Sequence, residues 1–113
     1  MDFIQNLFSK SIKFDLNKDE VVIHQGDANL FRKNEVTGGL LYLTNERLIF
    51  VPHIFNIDRS RQDIEIEEIL RLKEVRTLII DNGLVIESKQ QVDYRFVLNE
   101  REKWVEELEK LID

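Results

Sequence analysis

Cysteine is absent from this 113-residue chain, which excludes disulfides, thiolate metal sites and a cysteine nucleophile, and fits a reducing compartment. Histidine occurs only as His24 and His53, outside any His-Glu-x-x-His arrangement, so no zinc site is expected. No apolar run approaches the roughly 18 residues that span a bilayer, and the N-terminus lacks the basic-then-apolar order of a signal peptide. The expected location is cytoplasmic. There is no Gly-x-Ser-x-Gly elbow and no glycine-rich loop leading into a helix, and the many carboxylates alternate outward on strands or fall on the polar side of a helix. No catalytic residue, cofactor or metal is assigned, and an enzyme is not expected. Positive charge is also scarce: 16 Lys and Arg stand against 22 Asp and Glu, a formal charge of -6. Nucleic acids and anionic membranes call for a positive field, so a general surface for either is not expected. Half of the net charge lies from Asn99 onward.

What is present suffices for one domain, since a chain of this size buries roughly 65% of its unfolded surface. Its centre is a hairpin. Residues 40–43 and 48–51 are short apolar runs rich in strand formers, and Thr44, Asn45, Glu46 and Arg47 between them suit a tight turn. Both faces of both strands are apolar, so the hairpin needs cover on two sides. Before it, residues 20–24 read as a strand start, Gly26 as a bulge or bend, and Gly38-Gly39 as a change of direction. Tyr42, Tyr94 and several Phe residues could stack bases, but core packing accounts for them, and nucleic acid is not an expected partner.

After Pro52, Ile64 and Ile66 alternate with acids as a half-buried strand. A bent strand over residues 69–80 follows, with Leu70, Leu72, Val75, Leu78 and Ile80 inward after one register shift near Glu74. Asn82-Gly83 is expected to close a two-residue hairpin, and Tyr94, Phe96 and Leu98 line the last strand. The period then changes. Asn99 and Glu102 have the spacing of a capping box, and Trp104, Val105, Leu108, Leu111 and Ile112 form a helical stripe that can cover the hairpin, with Glu106 and Lys110 as a supporting pair. Near the N-terminus, Phe3, Ile4, Leu7 and Phe8 share one side of a short helix capped by Asp2. The expected fold is mainly β: seven antiparallel strands in a partly open barrel, one C-terminal helix closing it, and a short N-terminal helix.

Five stretches carry a resemblance. They are Gly26-Asp27-Ala28-Asn29-Leu30-Phe31, the hairpin Gly39-Leu40-Leu41-Tyr42-Leu43-Thr44-Asn45-Glu46-Arg47-Leu48-Ile49-Phe50, His53-Ile54-Phe55-Asn56, Asn82-Gly83-Leu84, and Glu100-Arg101-Glu102-Lys103-Trp104. Together they resemble the GRAM domain over residues 20–112, which implies a pleckstrin-homology-like barrel. The chain then divides into an N-terminal amphipathic extension, 1–18, and a domain, 19–113. The resemblance implies a membrane-associated or protein-binding module, and several relatives recognise phosphoinositides. Lipid-binding relatives use basic side chains near the loops after the first and third strands, which implies Arg32, Lys33, Arg59 and Arg61 here, with Arg47 nearby. Glu35, Glu46 and Asp58 dilute that cluster. His53, Ile54, Phe55 and Ile57 make a candidate interface loop, read either as a protruding apolar tip or as a strand or loop folded onto the core. The leading expectation is a non-enzymatic module that engages a protein partner or itself as a homo-oligomer. The alternative is weak, peripheral recognition of anionic lipid headgroups at a membrane surface.

Overall fold

Alternating apolar residues resolve into seven strands: β1 (Val22–Arg32), β2 (Glu35–Thr44), β3 (Arg47–Pro52), β4 (Gln62–Glu65), β5 (Ile69–Thr77), β6 (Ile80–Ser88) and β7 (Asp93–Leu98), followed by α1 (Arg101–Glu109). The computed structural model describes residues 14–32, 35–53, 60–77 and 80–112. The strands form one antiparallel sheet in the order β4-β3-β2-β1-β7-β6-β5. The sheet curls into a half-barrel whose edges, β4 and β5, are joined through a single 3-10 turn, Ile66–Glu68. The expected N-terminal helix and most of the candidate loop, Ile54, Phe55 and Ile57, lie outside the described residues.

One face of every strand supplies the core. Leu30, Leu41, Leu43, Leu48, Phe50, Ile64, Leu84, Ile86 and Phe96 are all buried in a single cluster with Trp104 and Leu108 of α1. Val105, Leu111 and Ile112 pack against it, so the helical stripe reads as expected. Trp104 is the anchor: it is 1% exposed, its ring meets His24 edge-on with centroids 4.5 Å apart, and it lies over Gly26. The hairpin's inner face is thus closed by the core and helix.

Several local expectations are corrected. The β1–β2 ladder slips between Val22 and His24, and Gly26 pairs with Leu41 in register without a bend. Gly38 and Gly39 sit inside β2, paired with Asn29 and Ala28. Gly39 serves close approach instead, since a Cβ there would come within 2.4 Å of the Val51 carbonyl oxygen and 2.9 Å of Pro52 Cα. Asn82-Gly83 lies within β6, where Gly83 pairs with both Val75 and Val97; pairing on two sides outweighs local turn preference. In β5 the register shifts twice, between Ile69 and Arg71 and between Val75 and Thr77, which buries Ile69 and leaves Leu70 exposed. Asn99 and Glu102 form no capping box. The chain enters α1 through Glu100 in the left-handed region (φ 55), a sharp turn from β7 that makes no side-chain cap bond. Lys110 pairs with Glu107, and Glu106 with Lys103 at 3.9 Å.

Two substitutions test this packing. Trp104→Ala is expected to cost about 3 to 5 kcal/mol in urea unfolding, because it removes the anchor and leaves a cavity; a change near zero would mean that α1 does not close the core. Gly39→Ala is expected to cost about 3 kcal/mol, since its methyl group meets backbone that cannot rotate aside.

Candidate functional site

The second cover of the hairpin is built around its turn. Tyr42 and Ile49 point away from the core cluster, yet both are fully buried. Phe14 packs edge-on against Tyr42 with ring centroids 5.0 Å apart. Burial pushes the Tyr42 phenol's pKa up. The segment 14–21 then follows the turn, and each of the four turn residues hydrogen-bonds to part of it. Thr44 Oγ1 accepts from the N–H groups of Glu46 (3.0 Å) and Arg47 (2.9 Å) and donates to Glu20 Oε2 at 2.7 Å. Asn45 exchanges bonds with Val21, donating its N–H to the Val21 carbonyl (3.2 Å) and accepting the Val21 N–H at Oδ1 (2.8 Å). Glu46 Oε1 accepts from Asn17 Nδ2 at 2.9 Å.

Arg47 is the hub of this contact. It is 8% exposed. Its Nε donates to Glu20 Oε2 (2.8 Å), Nη2 to Glu20 Oε1 (3.0 Å) and to the Asp15 carbonyl (2.9 Å), and Nη1 to Asp63 Oδ2 (3.0 Å). The guanidinium also lies over the Phe14 ring, 5.6 Å from its centroid. The Glu20 side chain is 0% exposed, and its two oxygens accept four hydrogen bonds, from Asn17 N–H, Thr44 and twice from Arg47. Burial pushes this carboxyl up, but the bonds from Arg47, Asn17 and Thr44 outweigh it and hold its pKa at about 2. Asp63 is shared: Arg61 grips it through two bonds of 2.7 Å, and these, against the opposing effect of burial, lower its pKa.

The basic residues marked by sequence therefore do not converge. Arg47 is inside the turn contact. Arg61 is clamped to Asp63 on the same outer side and lies 5.5 Å from the Phe14 centroid. Arg32 is on the opposite, inward face of its strand, beyond Leu30, where it lies over Phe50 and donates to the Ser60 carbonyl at 2.7 Å. Lys33 and Arg59 fall outside the described residues. His53 is exposed at the end of β3, its N–H bonded to the Gly38 carbonyl at 3.0 Å. Glu20 and Asp63 are the members that sequence reasoning missed, because nothing local links a carboxylate to an arginine 27 positions away. Among the described residues, no group of three or more His, Cys, Asp or Glu side chains could hold a metal ion.

A family model for the GRAM domain matches residues 6–112. The chain belongs to the GRAM domain family. The match starts well before Glu20, so it takes in the segment that seals the turn. No curated protein sequence matches the chain. Among solved structures, this GRAM domain is similar to the C-terminal domain of an unknown protein from Leishmania infantum (TM-score 0.73, 16% identity, 96% of this chain and 97% of that one). It is also similar to the Slm1 pleckstrin-homology domain in complex with inositol 4-phosphate (TM-score 0.62, 18% identity, 81% and 97%). A third similar structure is the DH/PH fragment of PDZRHOGEF in complex with human RhoA (TM-score 0.61, 16% identity, 82% and 29%). At these identities the likeness shows the pleckstrin-homology-like fold. No described helix is long and apolar enough to cross a membrane.

The Glu20 contact has a pH signature. Its folded pKa lies below the ordinary carboxylate value, so the unfolded state binds more protons between about pH 4.5 and 2. Stability is then full above that window and falls as pH drops through it, by on the order of 3 kcal/mol. Glu20→Gln is expected to be less stable at neutral pH and to flatten this acid limb in pH-dependent urea unfolding. Arg47→Met, which leaves Glu20 buried without its cation, is expected to cost about 3 to 5 kcal/mol at neutral pH, and less at pH 2.

Proposed function

We propose that this GRAM domain is a non-enzymatic binding module that engages a protein partner or a second copy of itself, in preference to an anionic lipid headgroup. The observation that carries this reading is the state of the arginines. A phosphorylated headgroup is recognised by several Lys or Arg side chains aimed at one point. Here Arg47 and Arg61 are committed to Glu20 and Asp63, and Arg32 lies on the other side of the sheet. The net charge of -6 opposes an anionic surface at long range. Among similar structures, the Slm1 pleckstrin-homology domain is in complex with inositol 4-phosphate, and the DH/PH fragment of PDZRHOGEF, of which the match covers 29%, is in complex with RhoA. Among the described residues, the end strands β4 and β5 each pair on one side only, which gives a protein partner somewhere to attach.

Flotation with vesicles of neutral lipid, of phosphatidylserine, and of phosphatidylserine with phosphoinositide separates the two classes. The protein is expected to stay with the unbound fraction in all three, whereas flotation that needs anionic lipid and is lost in Arg32→Ala would overturn the reading in favour of lipid. Sizing with light scattering over a range of concentrations separates a foreign partner from a second copy.

A further inference from the structure

The end of the half-barrel away from the β1–β2 turn carries an open pocket of about 410 Å³, enclosed by the β2–β3 turn, the 3-10 turn, the start of the β6–β7 turn and the chain just past α1. Backbone bonds brace these turns to one another. Ile66 N–H donates to the Glu46 carbonyl at 2.9 Å, and Lys89 N–H to the Glu68 carbonyl at 2.8 Å. Gln90 Nε2 adds a bond of 2.7 Å to Glu68 Oε1. The pocket is therefore preformed, and filling it costs little ordering of its walls.

Its lining is apolar in one part and charged in another. Ile66 and Ile69 belong to the buried core cluster, and half-buried Leu111 packs against the same cluster. Glu46, Glu65 and Glu67 set three carboxylates against the single ammonium of Lys89. Glu46 is engaged by Asn17 Nδ2 at 2.9 Å, whereas, among the described residues, the side chains of Glu65, Glu67 and Lys89 make no hydrogen bond or ion pair. Scaffold contacts thus account for Glu20 and Asp63 but not for Glu65 and Glu67. Desolvation raises the Glu65 pKa above the ordinary carboxylate value; Arg47 opposes that shift, and Glu67, Asp63 and Glu20 add to it. A carboxylate in such surroundings is stabilised by a further cation that reaches it.

We infer that this pocket seats an arginine side chain of a protein partner, with its aliphatic stem along Ile66, Ile69 and Leu111 and its guanidinium at Glu65 and Glu67. The inference rests on the binding-module reading above and specifies one contact of that module. An apolar floor bordered by carboxylates matches a side chain that is apolar along its stem and cationic at its tip. Arginine suits it better than lysine, because a guanidinium is less tightly hydrated and its planar fork can bond two carboxylates at once. A quaternary ammonium headgroup is a poor match, since no aromatic ring among the described residues lines the pocket. Lys89 opposes the incoming charge, and the carboxylates outnumber it.

The test titrates N-acetyl-arginine methylamide, its lysine counterpart and its uncharged citrulline counterpart into the full chain at constant ionic strength, and follows amide and carboxyl chemical shifts. The arginine probe is expected to saturate with a Kd on the order of 1 to 10 mM, to move the resonances of Glu65, Glu67 and Ile69, and to lower the Glu65 pKa. The lysine probe is expected to bind about threefold more weakly and the citrulline probe at least about tenfold more weakly. The double variant Glu65→Gln, Glu67→Gln, at two exposed positions, is expected to weaken the arginine probe at least about tenfold while keeping the melting temperature. Lys89→Met is expected to do the opposite and tighten it about threefold. No saturable binding, shifts confined to other parts of the chain, equal binding of the lysine or citrulline probe, equal binding to the double variant, or a dimer whose interface maps to the pocket would each overturn the inference. Failure here with negative flotation leaves the module reading standing with a different surface; flotation on anionic lipid removes that reading itself.

Discussion

A buried carboxylate is tolerated only where its charge and lone pairs are matched, and Glu20 is matched by Arg47. That pair joins three parts of the chain that are far apart in sequence: the lead-in of residues 14–20, the β2–β3 turn, and β4 through Asp63. With it in place, the lead-in is held across the hairpin, Phe14 reaches Tyr42, and the turn end of the outer face, at Tyr42 and Ile49, is as dry as the inner face, while Leu40 and Val51 farther along stay half-buried. The two-faced apolar hairpin is possible because a polar contact at its tip holds the second cover in place. The inner cover is ordinary packing of α1 on a curled sheet; the outer one depends on electrostatics.

This division of labour explains why the basic residues near the turn do not converge on one point. Charges that look available in the sequence are part of the scaffold. Arg47 and Arg61 hold carboxylates, and Thr44, Asn45 and Glu46 hold the lead-in. Among the described residues, β4 and β5 at the two ends of the strand order each pair on one side.

Much of the fold was legible because its signals are local. The apolar runs flanking residues 44–47, the alternation through Phe96 and Leu98, and the stripe of Trp104, Leu108 and Leu111 each imply an element without reference to distant residues. The errors fell where tertiary pairing overrides local preference. Asn82-Gly83 has the chemistry of a turn, but two neighbouring strands hold Gly83 in a ladder. The helix was expected to supply the missing cover of the hairpin, yet Tyr42 faces Phe14, outside the core cluster. The role of Arg47 was illegible for the same reason. Its residue type suits an anion, and only the approach of Glu20 from 27 positions away shows that the anion is already supplied by the chain.

Carbon-detected NMR of the Glu20 carboxyl, titrated with and without a soluble inositol phosphate, tests most directly whether Arg47 is structural. The predicted result is a carboxyl that stays ionised down to a pKa of about 2 and does not respond to the inositol phosphate. A carboxyl that titrates near the ordinary value of about 4.3, or one whose resonance moves as the inositol phosphate draws Arg47 away, would contradict it.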